Sequence, residues 1–69
     1  MNLSMTYKVE KCYHNGKNYI YLYECLPKKS WAVVVYDEDD DTMVSSEYFT
    51  DWKIALNSYN KIKDIGELQ

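Results

Sequence analysis

Two runs of strand-forming residues flank the dipeptide Asn15-Gly16, and this arrangement constrains the fold more than any other feature of the sequence. Residues 5–13 and 18–26 are rich in Tyr and β-branched side chains, which favour a pleated, half-buried surface. Asn-Gly between two such runs is the strongest short-range signal for a two-residue hairpin turn. The sequence therefore predicts an antiparallel β-hairpin in the first third of the chain.

Pairing about this turn sorts the hairpin side chains onto two faces, since successive residues of a strand point to opposite sides of a sheet. The predicted core face contains Tyr7, Val9, Tyr13, Ile20 and Leu22, with Lys11 and Glu24 toward its ends. The predicted water-facing side contains Lys8, Glu10, Cys12, Tyr19, Tyr21, Tyr23 and Cys25. Other elements are expected to cover the first of these faces.

The two cysteines are predicted to be free thiols. The pairing sets Cys12 opposite Tyr19 and Cys25 opposite Thr6, a separation of roughly 20 Å at the rise of a strand. A disulfide requires Cα atoms within about 7 Å. Free thiols indicate a reducing compartment, and neither a signal peptide nor an apolar run of about 20 residues is visible. The expected location is the cytoplasm, or the host cytoplasm for a phage protein.

The rest of the chain is predicted to complete one small α+β domain, residues 1–69. Residues 27–30 form a turn, because its proline cannot donate in a central ladder. Residues 31–36 form a third strand that is apolar on both faces, as a central strand would be, and residues 43–49 form a weaker fourth. The expected fold is an antiparallel meander of three or four strands packed by one C-terminal helix.

That helix is predicted over residues 51–65, where the apolar period changes from two to about 3.6. Its apolar stripe consists of Trp52, Ala55, Leu56, Tyr59 and Ile62. Thr50 is the predicted N-cap, and Asp51 lies where the helix dipole favours an anion. Gly66 suits the position just after the last turn. We expect the stripe to lie across the predicted core face of the hairpin.

Five consecutive acids form a charge spike between the third and fourth strands, Asp37, Glu38, Asp39, Asp40 and Asp41. The net charge is −3, and without these five the remaining six acids face eight lysines, so the rest of the chain is slightly basic. Such a loop keeps a sheet soluble and unpaired. It also suits docking on a basic partner, by charge alone or by imitating phosphates. The sequence leaves both interpretations open.

The spacing of these acids does not fit a calcium loop. An EF-hand needs ligands at loop positions 1, 3 and 5, a Gly at position 6 and a Glu at position 12, between two helices. Counted from Asp37, position 6 is Thr42 and Glu47 comes one place early, while the flanking residues are typical of strands. We therefore expect neither a metal site nor a cofactor.

Tyr19, Tyr21 and Tyr23 alternate along the second strand and are the second candidate binding feature. Tyr is favoured at protein interfaces, and the same geometry suits stacking on single-stranded nucleic acid. A half-exposed strand also favours Tyr through its β-propensity alone. A nucleic-acid-binding domain that uses the sheet as its platform is the alternative function, although the lack of Arg and the balanced charges beside these tyrosines disfavour direct nucleic-acid binding. A homodimer joined through this face is a further interpretation.

No combination of residues in the sequence suits catalysis. His14 is the sole histidine and lies beside the predicted turn, while a dyad with Cys12 would still need an orienting group and an oxyanion hole. The only glycines are Gly16 and Gly66, so a glycine-rich phosphate loop is absent from the sequence. We therefore expect a non-enzymatic protein.

The order strand, Asn-Gly turn, strand, strand and then "SSEYFTDWKIALNSYNKI" resembles integrase arm-binding (AP2-like) domains. In that family a three-stranded sheet precedes a helix with a Phe-Thr-x-x-x-Ala start. Phe49, Thr50 and Ala55 approximate this pattern, with Ala55 one residue late. The resemblance implies a sheet pressed into DNA, whereas this chain departs from the family's basic sheet by having no arginine and an acidic loop.

In its size, its acidic patch and its composition, the chain also resembles small phage proteins that act as anti-CRISPR or other anti-defence inhibitors. That resemblance implies a phage or mobile-element inhibitor that blocks a host protein complex without catalysing a reaction. Its partner would be a host protein with a basic surface, such as one that belongs to a nucleic-acid-binding complex. The expected contacts are the acids of residues 37–41 and the three alternating tyrosines.

Overall fold

The computed structural model describes residues 6–27 and 29–65 and contains one four-stranded antiparallel sheet with a single helix on one side. The strands lie in sequence order, and the elements are β1 (Thr6–His14), β2 (Asn18–Leu26), β3 (Ser30–Asp37), β4 (Met43–Phe49) and α1 (Trp52–Ile65). The predicted α+β meander is confirmed, and the fourth strand is present. The predicted strand start at Met5 and the predicted position of Gly66 just after the helix lie outside the described residues.

The first hairpin turns one residue later than predicted, at Gly16 and Lys17. The Asn15 amide donates to the Asn18 carbonyl at 3.2 Å, and the Asn15 side-chain oxygen accepts from the amides of Lys17 and Asn18 at 2.9 and 2.7 Å. Gly16 has φ +94°, which favours glycine because it carries no Cβ. Asn15 therefore occupies the first position of the turn, where its side chain accepts hydrogen bonds from two turn amides, and Gly16 supplies the left-handed backbone.

This later turn shifts the pairing of β1 with β2 by two residues between the turn and Lys11, and by one residue beyond the irregularity at Glu10. Cys12 lies opposite Tyr21, and Cys25 lies opposite Tyr7, so the predicted pairs of Cys12 with Tyr19 and of Cys25 with Thr6 are wrong. Both cysteines are nevertheless free thiols, as predicted, with Cys12 exposed and Cys25 buried. A shift of two residues preserves the faces near the turn, because side chains alternate with a period of two.

A β-bulge at Glu10 then exchanges the faces of the first half of β1. Lys11 pairs with Leu22 and Val9 pairs with Tyr23, so Glu10 is an extra residue in the ladder. Tyr7 and Val9 therefore lie on the side of Tyr23, and their predicted place on the core face is wrong. Lys8, which was predicted beside the tyrosines, pairs with Glu24 on the helix side.

The main core lies between the sheet and α1. Its fully buried side chains are Ile20, Leu22, Val33, Val35, Ala55 and Tyr59. Each buried aliphatic side chain of this size stabilises a fold by about 1.5–3 kcal/mol. The predicted helix stripe is confirmed, since Leu56 and Ile62 pack at the margin of this cluster and the ring centroids of Trp52 and Trp31 are 5.9 Å apart. Within the described residues, the structure contains no helix with the length and apolarity to cross a membrane.

Asp51, not Thr50, caps the N-terminus of α1. The Asp51 carboxylate accepts hydrogen bonds from the amides of Lys53 at 2.8 Å and Ile54 at 3.2 Å, and its carbonyl accepts from the Ala55 amide at 3.0 Å. A charged acceptor at this position also interacts favourably with the helix dipole. The helix therefore begins at Trp52, one residue after the start that an N-cap at Thr50 would give.

We expect Asp51→Ala to lower the free energy of unfolding by about 1 kcal/mol, because two helix amides lose their acceptor. Asp51→Ser should retain most of the stability, since a hydroxyl caps nearly as well. Thr50→Ala is the matched control and should leave stability within about 0.5 kcal/mol. Urea denaturation followed by circular dichroism measures all three, and a larger loss from Thr50→Ala than from Asp51→Ala would contradict the assignment.

Candidate functional site: the tyrosine face and the acidic loop

The side of the sheet opposite α1 carries six of the eight tyrosines of the chain and is called here the tyrosine face. Strand pairing places on it Tyr7, Tyr19, Tyr21, Tyr23, Tyr36 and Tyr48. The lysines of the described strands, Lys8 and Lys11, lie on the helix side, because they pair with Glu24 and Leu22. The tyrosine face therefore has no lysine among its strand residues.

The rings along β2 form a continuous stack. The centroids of Tyr19 and Tyr21 are 6.3 Å apart and those of Tyr21 and Tyr23 are 5.4 Å apart, with interplanar angles of 21° and 17°. His14 extends the stack at its turn end, 4.2 Å from Tyr19 and tilted by 17°. Tyr36 on β3 meets Tyr21 edge-on at 5.7 Å. The expectation that the three alternating tyrosines project side by side is confirmed.

A second, smaller apolar cluster lies beneath these rings. Cys25, Ala32 and Val34 are 0%, 1% and 7% exposed although α1 covers the other side of the sheet. Tyr23 and Tyr36 pack against them. The rings cover these small side chains, so the tyrosines shield most of this cluster from solvent. The rings are therefore held by packing as well as by their neighbours in the stack.

Two tyrosines from the outermost strands meet across the tyrosine face. Tyr7 on β1 and Tyr48 on β4 line the same cavity, and the interaction of the two phenols raises the pKa of Tyr7. The two strands are three strand spacings apart, or about 14 Å, so both phenols must lean inward over the sheet. The cavity has a volume of about 240 Å³, and its lining includes the small side chains of Ala32 and Val34.

The acidic run is an ordered hairpin loop in which Asp37 has a structural role. The Asp37 carboxylate accepts from the amides of Asp39 at 2.8 Å and Asp40 at 3.1 Å, while its carbonyl accepts from the Asp41 amide at 2.9 Å. The Asp37 amide donates to the Thr42 carbonyl at 2.8 Å. Asp41 adopts a left-handed conformation with φ 56°, which Asp tolerates better than most residues. The five acids are therefore not equivalent.

The acidic loop is docked against the turn between β1 and β2. Glu38 donates its amide to the Lys17 carbonyl at 2.9 Å, and its carboxylate contacts the His14 Nε2 atom at 2.9 Å. Beneath this contact, the fully buried Asn18 donates its side-chain amide to the Tyr36 carbonyl at 3.3 Å. Both hairpin tips therefore lie together at one end of the sheet, next to the start of the tyrosine stack.

The two predicted binding features meet in one concavity at this end. It has a volume of about 460 Å³ and is lined by Tyr19, Tyr21, Tyr23, Tyr36 and Asp41. Of the predicted acids, only Asp41 is in this lining; Glu38, Asp39 and Asp40 are exposed on the loop. Sequence reasoning did not identify Tyr36, although its position at the end of an alternating strand is a usable signal.

In residues 6–27 and 29–65, no group of three or more His, Cys, Asp or Glu side chains is placed to hold a metal ion. The Asp37 carboxylate is engaged by backbone amides, and His14 is engaged by Glu38 and by the Tyr19 ring. The aromatic surface and the exposed negative charge of the loop are features that suit binding.

Comparison with protein-family models, with curated proteins and with solved structures finds no match for this chain. The fold and the site define a small α+β domain with a packed aromatic sheet face beside an ordered acidic loop.

We expect stability to fall at alkaline pH because folding raises several tyrosine pKa values. Burial raises the pKa values of Tyr21, Tyr23 and Tyr59, and the interaction with the Tyr48 phenol raises that of Tyr7. The folded state thus holds these protons more tightly than the unfolded state. Their contribution to stability is complete below pH 10 and is lost as pH rises through the folded pKa values.

Tyr48→Phe should return the pKa of Tyr7 toward its ordinary value, because the phenylalanine ring offers no hydrogen-bond partner. The titration is measured by NMR of the Tyr7 ring carbons between pH 8 and 12. Tyr59→Phe is the control, since that residue lies on the helix side of the sheet. An unchanged Tyr7 titration in Tyr48→Phe would show that the two phenols do not interact in solution.

Proposed function

We propose that this protein is a non-enzymatic binding module that docks its tyrosine face and acidic loop on a basic surface of another protein. The observation that carries the proposal is the meeting of the tyrosine stack and a loop carboxylate in one concavity. An aromatic surface and negative charge placed side by side match a partner surface that offers apolar area and cations together.

The tyrosine face suits protein recognition because its rings are already ordered. Tyrosine supplies a large contact area with few rotatable bonds and is enriched among residues that dominate binding energies. Stacking and the buried cluster beneath restrict these rings before any partner arrives. Less conformational entropy is therefore lost on association. At the far edge, Tyr48 is 61% exposed and available for contact.

The acidic loop supplies charge complementarity. Glu38, Asp39 and Asp40 are exposed, and the turn contacts hold them at the end of the tyrosine face. Fixed surface charges of one sign accelerate encounter with an oppositely charged patch and fix its orientation. In a nucleic-acid-binding partner such a patch is where phosphates bind. Blocking it would give the inhibition of a host complex that the resemblance to phage anti-defence proteins implies.

The tyrosine face suits nucleic acid less well than protein. A sheet that takes DNA or single strands needs cations along the backbone path. Here the strand lysines of the described residues lie on the helix side, and the near end of the tyrosine face carries carboxylates. Stacking alone would have to overcome that repulsion. Charge therefore decides in favour of a basic protein partner over the sheet-on-DNA arrangement of AP2-like domains.

We expect neutralising the exposed acids, as Glu38→Gln with Asp39→Asn and Asp40→Asn, to weaken partner binding at least about tenfold. Asp37 and Asp41 are kept because the loop conformation depends on them. Tyr19→Ala with Tyr21→Ala should weaken the same binding. Both variants are compared with the unaltered protein in affinity capture from the source cell, and the captured partner is then purified and titrated by calorimetry.

Ile54→Ser is the matched control, because Ile54 is exposed on α1 away from the tyrosine face. Unchanged capture by both interface variants would refute the proposal. Retardation of DNA or RNA, with log K falling against log salt, would replace it with nucleic-acid binding. Self-association would replace the proposed function if the sedimentation coefficient of the unaltered protein rose with concentration and that of the tyrosine variant did not.

A further inference from the structure

We propose that the concavity at the acidic end of the tyrosine face, lined by Tyr19, Tyr21, Tyr23, Tyr36 and Asp41, binds an arginine side chain of the partner. This inference rests on the proposed function and names the chemistry that the site recognises. It follows from three features of the described residues: the orientation of the rings, the placement of one carboxylate and the absence of lysine from the strand positions of this face.

Four tyrosine rings wall the concavity. Tyr19, Tyr21 and Tyr23 are nearly parallel to one another along β2. Tyr36 stands at 81° to Tyr21 and closes one side of the concavity. A cation over a tyrosine face is attracted by the ring quadrupole, by about 0.5–1 kcal/mol at exposed sites. Several rings around one cation add such contacts without any new backbone ordering.

Asp41 places a negative charge beside these rings. Asp41 is held at the edge of the concavity by its left-handed backbone and by the hydrogen bond that its amide donates to the Asp37 carbonyl. The other structurally engaged acids serve contacts inside the protein, since Asp37 caps the loop and Glu38 contacts His14. Asp41 is thus the loop carboxylate in a position to meet a cation that is already stacked on tyrosine.

The combination favours a guanidinium over an ammonium group. A guanidinium is planar, stacks on aromatic rings and presents a fork of N–H donors that matches a carboxylate. An ammonium is compact and strongly hydrated, so it loses more hydration free energy than a guanidinium when it enters an open concavity of this kind. A contact between a cation and tyrosine rings also occurs on the other side of the sheet. There the Lys63 Nζ atom lies 5.7 Å from the Tyr13 ring centroid and 5.9 Å from that of Tyr59.

The test uses two short peptides, acetyl-Gly-Arg-Gly-amide and the same peptide with citrulline, whose neutral planar urea group replaces the guanidinium. Binding is followed by the ring resonances of the lining tyrosines in two-dimensional NMR at low salt. We expect the arginine peptide to bind in the millimolar range and the citrulline peptide at least about fivefold more weakly. Equal binding of the two peptides would overturn the proposal, as would equal binding of a lysine peptide.

Two variants that each remove one loop charge locate the effect. Asp41→Asn should weaken the arginine peptide about threefold to fivefold, and asparagine tolerates the left-handed backbone. Asp40→Asn, which changes a residue outside the concavity, should leave the affinity nearly unchanged. Equal weakening by the two variants would show that the effect comes from the electrostatic field of the whole loop, and this would overturn the proposed arginine site.

This experiment separates the two proposals. If neither peptide binds while the loop and tyrosine variants still lose the captured partner, the arginine site is wrong and the binding module stands. If the peptides behave as expected but the same variants keep the partner, the concavity binds arginine and the proposed docking surface is wrong.

Discussion

The structure depends on one constraint: a four-stranded sheet has two faces, and the described chain has one helix to cover them. The central strand β3 nevertheless buries successive residues from Ala32 to Val35, and these point alternately to opposite sides. Val33 and Val35 are covered by α1. Ala32 and Val34 are covered by the rings of Tyr23 on β2 and of Tyr36 on β3 itself. Small residues under large rings let the sheet shield its second face without a second layer.

The β-bulge at Glu10 makes that solution more complete. With a regular ladder, Tyr7 would lie on the helix side, and Lys8 would occupy the tyrosine face. One extra residue reverses both positions. It brings an additional aromatic ring to the second face and removes a cation from it, so a single local irregularity changes both the packing and the charge of the candidate binding surface.

The sequence was sufficient for the element order because each element had a local cause. The Asn15-Gly16 signal, the apolar run of β3 and the helical stripe from Ala55 to Ile62 all predicted what the structure contains. The errors arose where two local signals compete. Asn15 was assigned to the turn centre although its side chain serves better as a cap, and Thr50 was preferred to Asp51 because both are good N-cap residues.

The site was predictable only in part for a different reason. Alternation along β2 predicted the neighbouring tyrosines, because it depends on one strand alone. The bulge and the docking of the acidic loop on the first turn depend on contacts between distant segments, and no sequence pattern here announces them. The place of Tyr7 on this face, and of Asp41 beside the tyrosines, therefore depends on tertiary structure.

The contact between the Tyr7 and Tyr48 phenols also joins the two edges of the sheet. A meander has mostly local pairings, so its terminal strands can detach one at a time. This contact brings together two residues that are far apart in the chain and belong to opposite edge strands. Detaching either edge strand therefore also removes a contact made with the other.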